Sequence, residues 1–161
     1  MAAHPSSAQF STRDGQIIAR TLSFIETGMT GTLEIGIAYA PELPASVHQA
    51  ESLKAAIGDA LAAGKITLKA RLIPIDLLPT ANGIAGIFVT HNLGAQLEVV
   101  AQAAQRLHVP TISTEMACVR TAHCIVGFSS QPSVEIVLNR DAANHAGVRF
   151  IQAFRMLVRE L

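Results

Sequence analysis

The stretch TLEIGIAYAPELPASVHQAESLKAAIGDALAAGKITLKARLIPI, residues 32–75, sets two apolar, β-branched runs on either side of an amphipathic segment. Residues 32–40 read as a buried strand ended by Pro41, and residues 66–75 alternate as a second strand. Between them residues 45–64 read as one long helix. Val47, Leu53, Ile57 and Leu61 face inward along it, and Gly64 is its C-terminal stop. Strands separated by helices belong to parallel α/β sheets.

The same alternation extends outward in both directions. Residues 11–28 read as a helix capped by Ser11 or Thr12, striped by Ile17, Ile18, Leu22 and Ile25, and stopped at Gly28. Residues 76–83 form a turn, IAGIFVT (84–90) a central strand, and residues 93–108 a helix with Leu97, Val100, Ala101 and Ala104 on one face. VPTIST (109–114) is a short strand. CIVGFSS (124–130) and SVEIVLN (133–139) are two more, joined at Gln131-Pro132. Asn139 caps a closing helix, or a helix pair broken at Gly147, with Phe150, Ile151, Phe154 and Val158 buried. The expected fold is therefore α/β: a single-domain, Rossmann-like, mainly parallel sheet with helices on both faces and an antiparallel C-terminal edge hairpin. It occupies residues 12–161 behind a flexible N-terminal tail, 1–11.

Composition narrows the role. Half of the 161 residues are hydrophobic and only 4% aromatic, without Trp, so aliphatic side chains fill the core. Twelve basic residues balance twelve acidic ones with no basic cluster, which argues against nucleic acid as a partner. No run approaches the roughly 20 apolar residues of a membrane span. The start, MAAHPSSAQF, has no charged segment followed by an apolar one, so no signal peptide is expected in this chain.

In open α/β sheets ligands lie beyond the carboxyl ends of the strands. That rule selects Ala40-Pro41, Asp76, Thr90-His91-Asn92 and Ser113-Thr114-Glu115. The last two sets form the ligand-binding candidate: Thr90, His91 and Asn92 end a strand and open a helix, where free N–H groups can hold an anion. In the plainer reading Asn92 is a helix cap, His91 a solvated loop residue and Thr114 the cap of a short helix. Phosphate loops and a nucleophile elbow are absent. An acid–base set of Asp76, His91 and Glu115 is conceivable, but the spacing does not call for it, and no catalytic residue and no cofactor is assigned. Ser129 and Ser130 stand at a strand end, where serine is ordinary.

Cys118 and Cys124 admit three readings: a disulfide closing a short loop, two buried free thiols, or a metal or redox site. A metal or haem carrier would draw on Cys118, Cys124, His123 and Met116, yet His123 and Cys124 are adjacent and point opposite ways on a strand. A disulfide persists only in an oxidising compartment.

The order of features resembles the YfiR-like periplasmic proteins. The resemblance runs through IIARTLSFIETG before TLEIGIAYAP, the IAGIFVT and VPTIST strands, and above all the tail CIVGFSSQPSVEIVLNRDAANHAGVRFIQAFRMLVREL. It covers nearly the full chain, with structural motifs of low specificity. The chain departs from the family at Phe24–Gly28, where F-x-x-W-P is common, and at Ala122–Val126, where Gly-Gly-Met-Ile is usual. The resemblance implies a periplasmic, often dimeric, disulfide-bearing and non-enzymatic module. Its partner would be the periplasmic domain of a membrane sensor or diguanylate cyclase. The alternatives are a small-molecule binding protein using the C-terminal edge of the sheet, or the metal or haem carrier.

Overall fold

A computed structural model describes residues 9–161; most of the tail expected over 1–11 lies outside the described residues. Where that segment is described it is not loose. The Phe10 ring meets the buried Phe88 edge-on at 5.4 Å, and its backbone N–H donates to Ser52 Oγ at 2.7 Å.

The chain runs α1 (Thr12–Ser23), β1 (Gly31–Tyr39), α2 (Pro44–Ile57), β2 (Leu61–Ala63), β3 (Ile66–Pro74), β4 (Gly86–Val89), α3 (Leu97–Leu107), β5 (Thr111–Ser113), α4 (Met116–Arg120), β6 (Val126–Ser129), β7 (Glu135–Leu138), α5 (Arg140–Ala146), α6 (Gln152–Leu157) and β8 (Arg159–Glu160). These strands form one sheet in the order β2-β3-β1-β4-β5-β6-β7-β8. β3, β1, β4, β5 and β6 are mutually parallel, while β2 and β7 run antiparallel to their neighbours β3 and β6. Numbered among themselves, the parallel strands read 2-1-3-4-5, a doubly wound order whose switch point falls between β1 and β4. Every residue of β4 is buried, as a central strand covered on both faces requires. Helices α1 and α2 pack together against β1 and β3, while α3 and α5 pack together elsewhere on the sheet. The α/β reading of the sequence thus holds.

Four local expectations change. The helix expected over 45–64 ends at Ile57, because Gly58 leaves helical space at φ 70°, ψ −154°. Leu61–Ala63 then pair with β3 as an edge strand, and Gly64, at φ 61°, opens a two-residue hairpin turn rather than stopping a helix. The first helix ends at Ser23, before Phe24, and Ile25 goes on to bridge Phe150. The turn expected over 76–83 is mostly a 3-10 helix, Ile75–Thr80. The closing helix does break at Gly147, but its last residues peel off as β8, so the β6–β7 hairpin sits one strand inside the edge.

At the C-terminal end the Asn139 cap and the burial of Phe150 and Phe154 match expectation, whereas Ile151 and Val158, also expected in the core, are half-buried. The Asn139 side chain accepts from the Ala142 N–H at 3.0 Å, capping α5, and its amide donates to Val119 O at 2.7 Å. Phe150 and Phe154 are buried, with centroids 4.7 Å apart, and Phe24 stacks on Phe154 at 5.1 Å. Met156, by contrast, is 78% exposed and lies outside the core.

Candidate functional site

The carboxyl ends of the parallel strands and the N-terminal end of α1 meet along one rim. At the switch point between β1 and β4, where a doubly wound sheet ordinarily opens its ligand crevice, the space is filled. Ser46 on α2 accepts from the Ala40 N–H at 2.9 Å and shares a 2.7 Å hydrogen bond with Thr90. Thr90 Oγ1 donates to Ala38 O at 3.0 Å, and the His91 N–H donates to Gln49 Oε1 at 2.7 Å. Ser46, Gln49 and Thr90 are all buried. This stitching closes the crevice.

Thr90 and Ser113 therefore leave the ligand-binding candidate. Ser113 Oγ donates to Val89 O at 2.9 Å and accepts from the Glu115 N–H at 3.0 Å, so it ties β5 to β4 and aligns the start of α4. Both hydroxyls are fully enclosed. The free N–H groups expected at 90–92 are likewise taken up: Gln49 holds that of His91, and Glu115 Oε1 lies 3.4 Å from that of Asn92. Asn92 is not a cap. It stands in a turn at φ 65°, one of the few residues besides glycine that tolerate it, and α3 begins at Leu97 behind a short 3-10 turn. Nor does Thr114 cap α4, whose N-cap is Glu115.

His91, Thr114 and Glu115 do come together. His91 Nε2 and Thr114 Oγ1 share a 2.7 Å hydrogen bond, and all three side chains are half-buried. Asp76 belongs to the 3-10 helix after β3, at the other side of the switch point, and joins none of these contacts.

Beyond Thr114 the rim opens into a cleft of about 490 Å³, within the range of small-molecule sites. Thr114, Ser129 and Ser130 line one side, Ser11 and Asp14 the other, and Phe10 with Phe128 supply apolar wall. Asp14 is the centre of its polar chemistry. One carboxylate oxygen accepts from Ser130 Oγ at 2.8 Å; the other accepts from the Ser11 N–H at 2.8 Å and Ser11 Oγ at 3.2 Å. Asp14 is 7% exposed, yet it enters no ion pair among the described residues. Three donors and the positive end of α1 hold the anion in place, and the carboxylate lines the cleft. Such a rim suits a ligand bearing an ammonium or several hydroxyls.

Asp14, Ser11, Phe10 and Ser130 were absent from the sequence-derived set. One signal was visible: Ser11-x-x-Asp14 before an apolar run has the form of a helix start whose acidic residue folds back. The contact to Ser130 spans 116 residues and left no local trace.

The cysteines resolve to a disulfide, with Cα atoms 5.1 Å apart and both residues buried. The metal set of Cys118, Cys124, His123 and Met116 is thereby undone, since each sulfur of the pair is bonded to the other. His123 turns to Thr121 Oγ1 at 2.9 Å and to Glu98, while Met116 packs over Gly127. No helix among the described residues is long and apolar enough to cross a membrane.

No protein-family model and no curated protein matches the chain. Several solved structures are similar to it in fold, among them the following two. The crystal structure of an ABC domain in complex with L-Trp from Streptococcus pneumoniae superposes with a TM-score of 0.60 at 12% identity, covering 90% of this chain and 60% of that one. A conserved domain protein from Vibrio cholerae O1 biovar eltor gives a TM-score of 0.62 at 15% identity, covering 94% of this chain and 60% of that one. The chain thus spans 60% of the length of either structure, and at these identities what the three share is the α/β fold.

Proposed function

We propose that this domain binds a small polar molecule in the rim cleft between the N-terminal end of α1 and the ends of β5 and β6. The observation that carries the reading is Asp14: a carboxylate fixed by three hydrogen-bond donors, almost withdrawn from water and without a cation beside it. A ligand ammonium pairs with this carboxylate, Thr114 and Ser129 offer further hydrogen bonds, and Phe10 offers an apolar wall. The likeness to a domain solved with L-Trp supports an amino acid as the first ligand to test. A single wall of this kind leaves a ligand half exposed, so tight binding calls for a second copy or a further lobe over the cleft. The Cys118–Cys124 disulfide supports a periplasmic or other oxidising location.

A thermal-shift screen of the oxidised chain against amino acids and polyols tests this. A ligand at a hundred times its Kd adds about 2.7 kcal/mol, which raises the melting temperature of a domain this size by about 5–10 °C. Asp14→Asn removes the charge and keeps an acceptor for Ser130 but not for the Ser11 N–H, so it lowers the melting temperature of the free chain and abolishes the ligand-induced shift. A screen without any shift, or a shift that Asp14→Asn leaves intact, contradicts the proposal.

A second reading, regulation of a membrane sensor or diguanylate cyclase by docking as in the YfiR-like proteins, draws on the C-terminal segment. There Asn139 ties the disulfide-closed loop to the β6–β7 hairpin and α5 in one unit, in the stretch where the resemblance is densest. Size-exclusion chromatography with the purified outer domain of such a sensor tests it: co-elution supports docking, and separate elution at micromolar concentrations counts against it.

A further inference from the structure

A second cleft runs along another face of α1, from Arg13 beside the rim cleft to Phe24 past the helix end. Arg13, Gln16, Ile17, Arg20, Thr21 and Phe24 fall on one continuous stripe of that helix, spaced as the 3.6 period requires. Opposite the stripe stand Val134 and Ile136 of the β7 segment and Phe154 and Leu157 of α6, enclosing a groove of about 400 Å³. Its floor is the stacked pair Phe24 and Phe154. Val134 at 40% and Leu157 at 76% exposure leave apolar surface on the lip.

The charge around this apolar floor has one sign. Arg13 and Arg20 are exposed on the rim and belong to none of the ion pairs among the described residues. Glu135 lies between Val134 and Ile136 in sequence, but successive side chains of an extended segment point to opposite faces, so its carboxylate is directed away. An apolar trough with two guanidiniums at its edge is complementary to a molecule with an apolar body and one anionic head. We infer that the α1–β7–α6 groove binds a free aliphatic carboxylate of medium chain length, its chain on Phe24, Ile136, Phe154 and Leu157 and its head in the positive field of Arg13 and Arg20, which stand two turns apart along α1. This site is separate from the rim cleft, and the two share no lining residue.

Calorimetric titration of the oxidised chain with hexanoate, octanoate and 1-octanol, all below micelle formation, tests the inference. Octanoate binds at one site and more tightly than hexanoate, by about fourfold for each added methylene that is buried. Arg13→Gln/Arg20→Gln weakens octanoate by about three- to tenfold while leaving 1-octanol unchanged. Arg20→Gln alone shows part of that loss, and Leu157→Asp, at an exposed position, abolishes binding of both probes. An amino acid that shifts the melting temperature, added at saturation, leaves the octanoate affinity as in its absence, which keeps the result independent of the rim cleft. No saturable binding of octanoate, arginine variants that bind octanoate as the parent does, or binding to anionic phospholipid vesicles without binding to octanoate overturns the assignment.

Discussion

Replacing Cys118 and Cys124 together with alanine removes a crosslink across six positions of sequence. The loop it closes is already folded by its own backbone: Cys118 O accepts from the His123 and Cys124 N–H groups, both at 3.0 Å, and Thr121 N–H donates to Ala117 O. The native loop therefore persists without the bond, and the main loss is the constraint on the unfolded chain. For a loop this short the chain-entropy relation gives about 2 kcal/mol. Both residues are buried, and the packing lost with the sulfurs adds to that figure. A domain of this length loses about 2–4 °C per kcal/mol, so the melting temperature falls by about 4–8 °C. The assay is thermal and urea unfolding of parent and double variant, each with and without a phosphine reductant. The parent under reductant drops to near the variant, the variant ignores the reductant, and the urea m-value of the variant rises because its unfolded state is more expanded. A variant that melts within about 1 °C of the parent, or one that reductant still destabilises, refutes the reasoning.

Other consequences follow from particular contacts. Asn139→Ala strips the α5 cap and removes one of the two donors to Val119 O, which keeps the Ala122 N–H at 3.1 Å, costing about 1–2 kcal/mol in urea unfolding. Gly127→Ala places a methyl 2.6 Å from Val119 Cγ2 and 2.9 Å from Met116 Sδ, and destabilises by about 1–3 kcal/mol because α4, pinned by the disulfide, cannot readily retreat. The hydrogen bond from Arg155 holds the Glu160 carboxyl below its ordinary range. A lowered folded-state pKa adds stability above the unfolded value and loses it as pH falls. NMR titration of Glu160 therefore shows a midpoint below that of a free glutamate, and Arg155→Ala moves it back up.

Much of the fold was readable because its elements agree with their local chemistry. The β-branched run at 32–40 became Gly31–Tyr39, and Asn139 caps the helix it was expected to cap. Leu61-Ala62-Ala63 was misread for a physical reason. Leucine and alanine favour helix, and only pairing with β3 makes them a strand. The site was harder. The strand-end rule selected Thr114, which lines the rim cleft, and His91, which bonds to it, yet it also selected Thr90 and Ser113, whose hydroxyls the fold consumes in tying strands together. Whether a threonine at a strand end faces inward or outward depends on the pairing register and on which helix overlies it. Asp14 escaped because its partner Ser130 lies at the other end of the chain, and Phe10 because its only sign is a lone aromatic in a polar stretch.

Whether the rim cleft takes a ligand decides the proposed function most directly. Two-dimensional amide NMR of the oxidised chain, titrated with the amino acid giving the largest thermal shift, reads this residue by residue. Saturable changes concentrated at Phe10, Ser11, Thr114, Ser129 and Ser130, lost in Asp14→Asn, are the predicted result. Changes confined to another face of the sheet, or a spectrum unmoved at millimolar ligand, would contradict it.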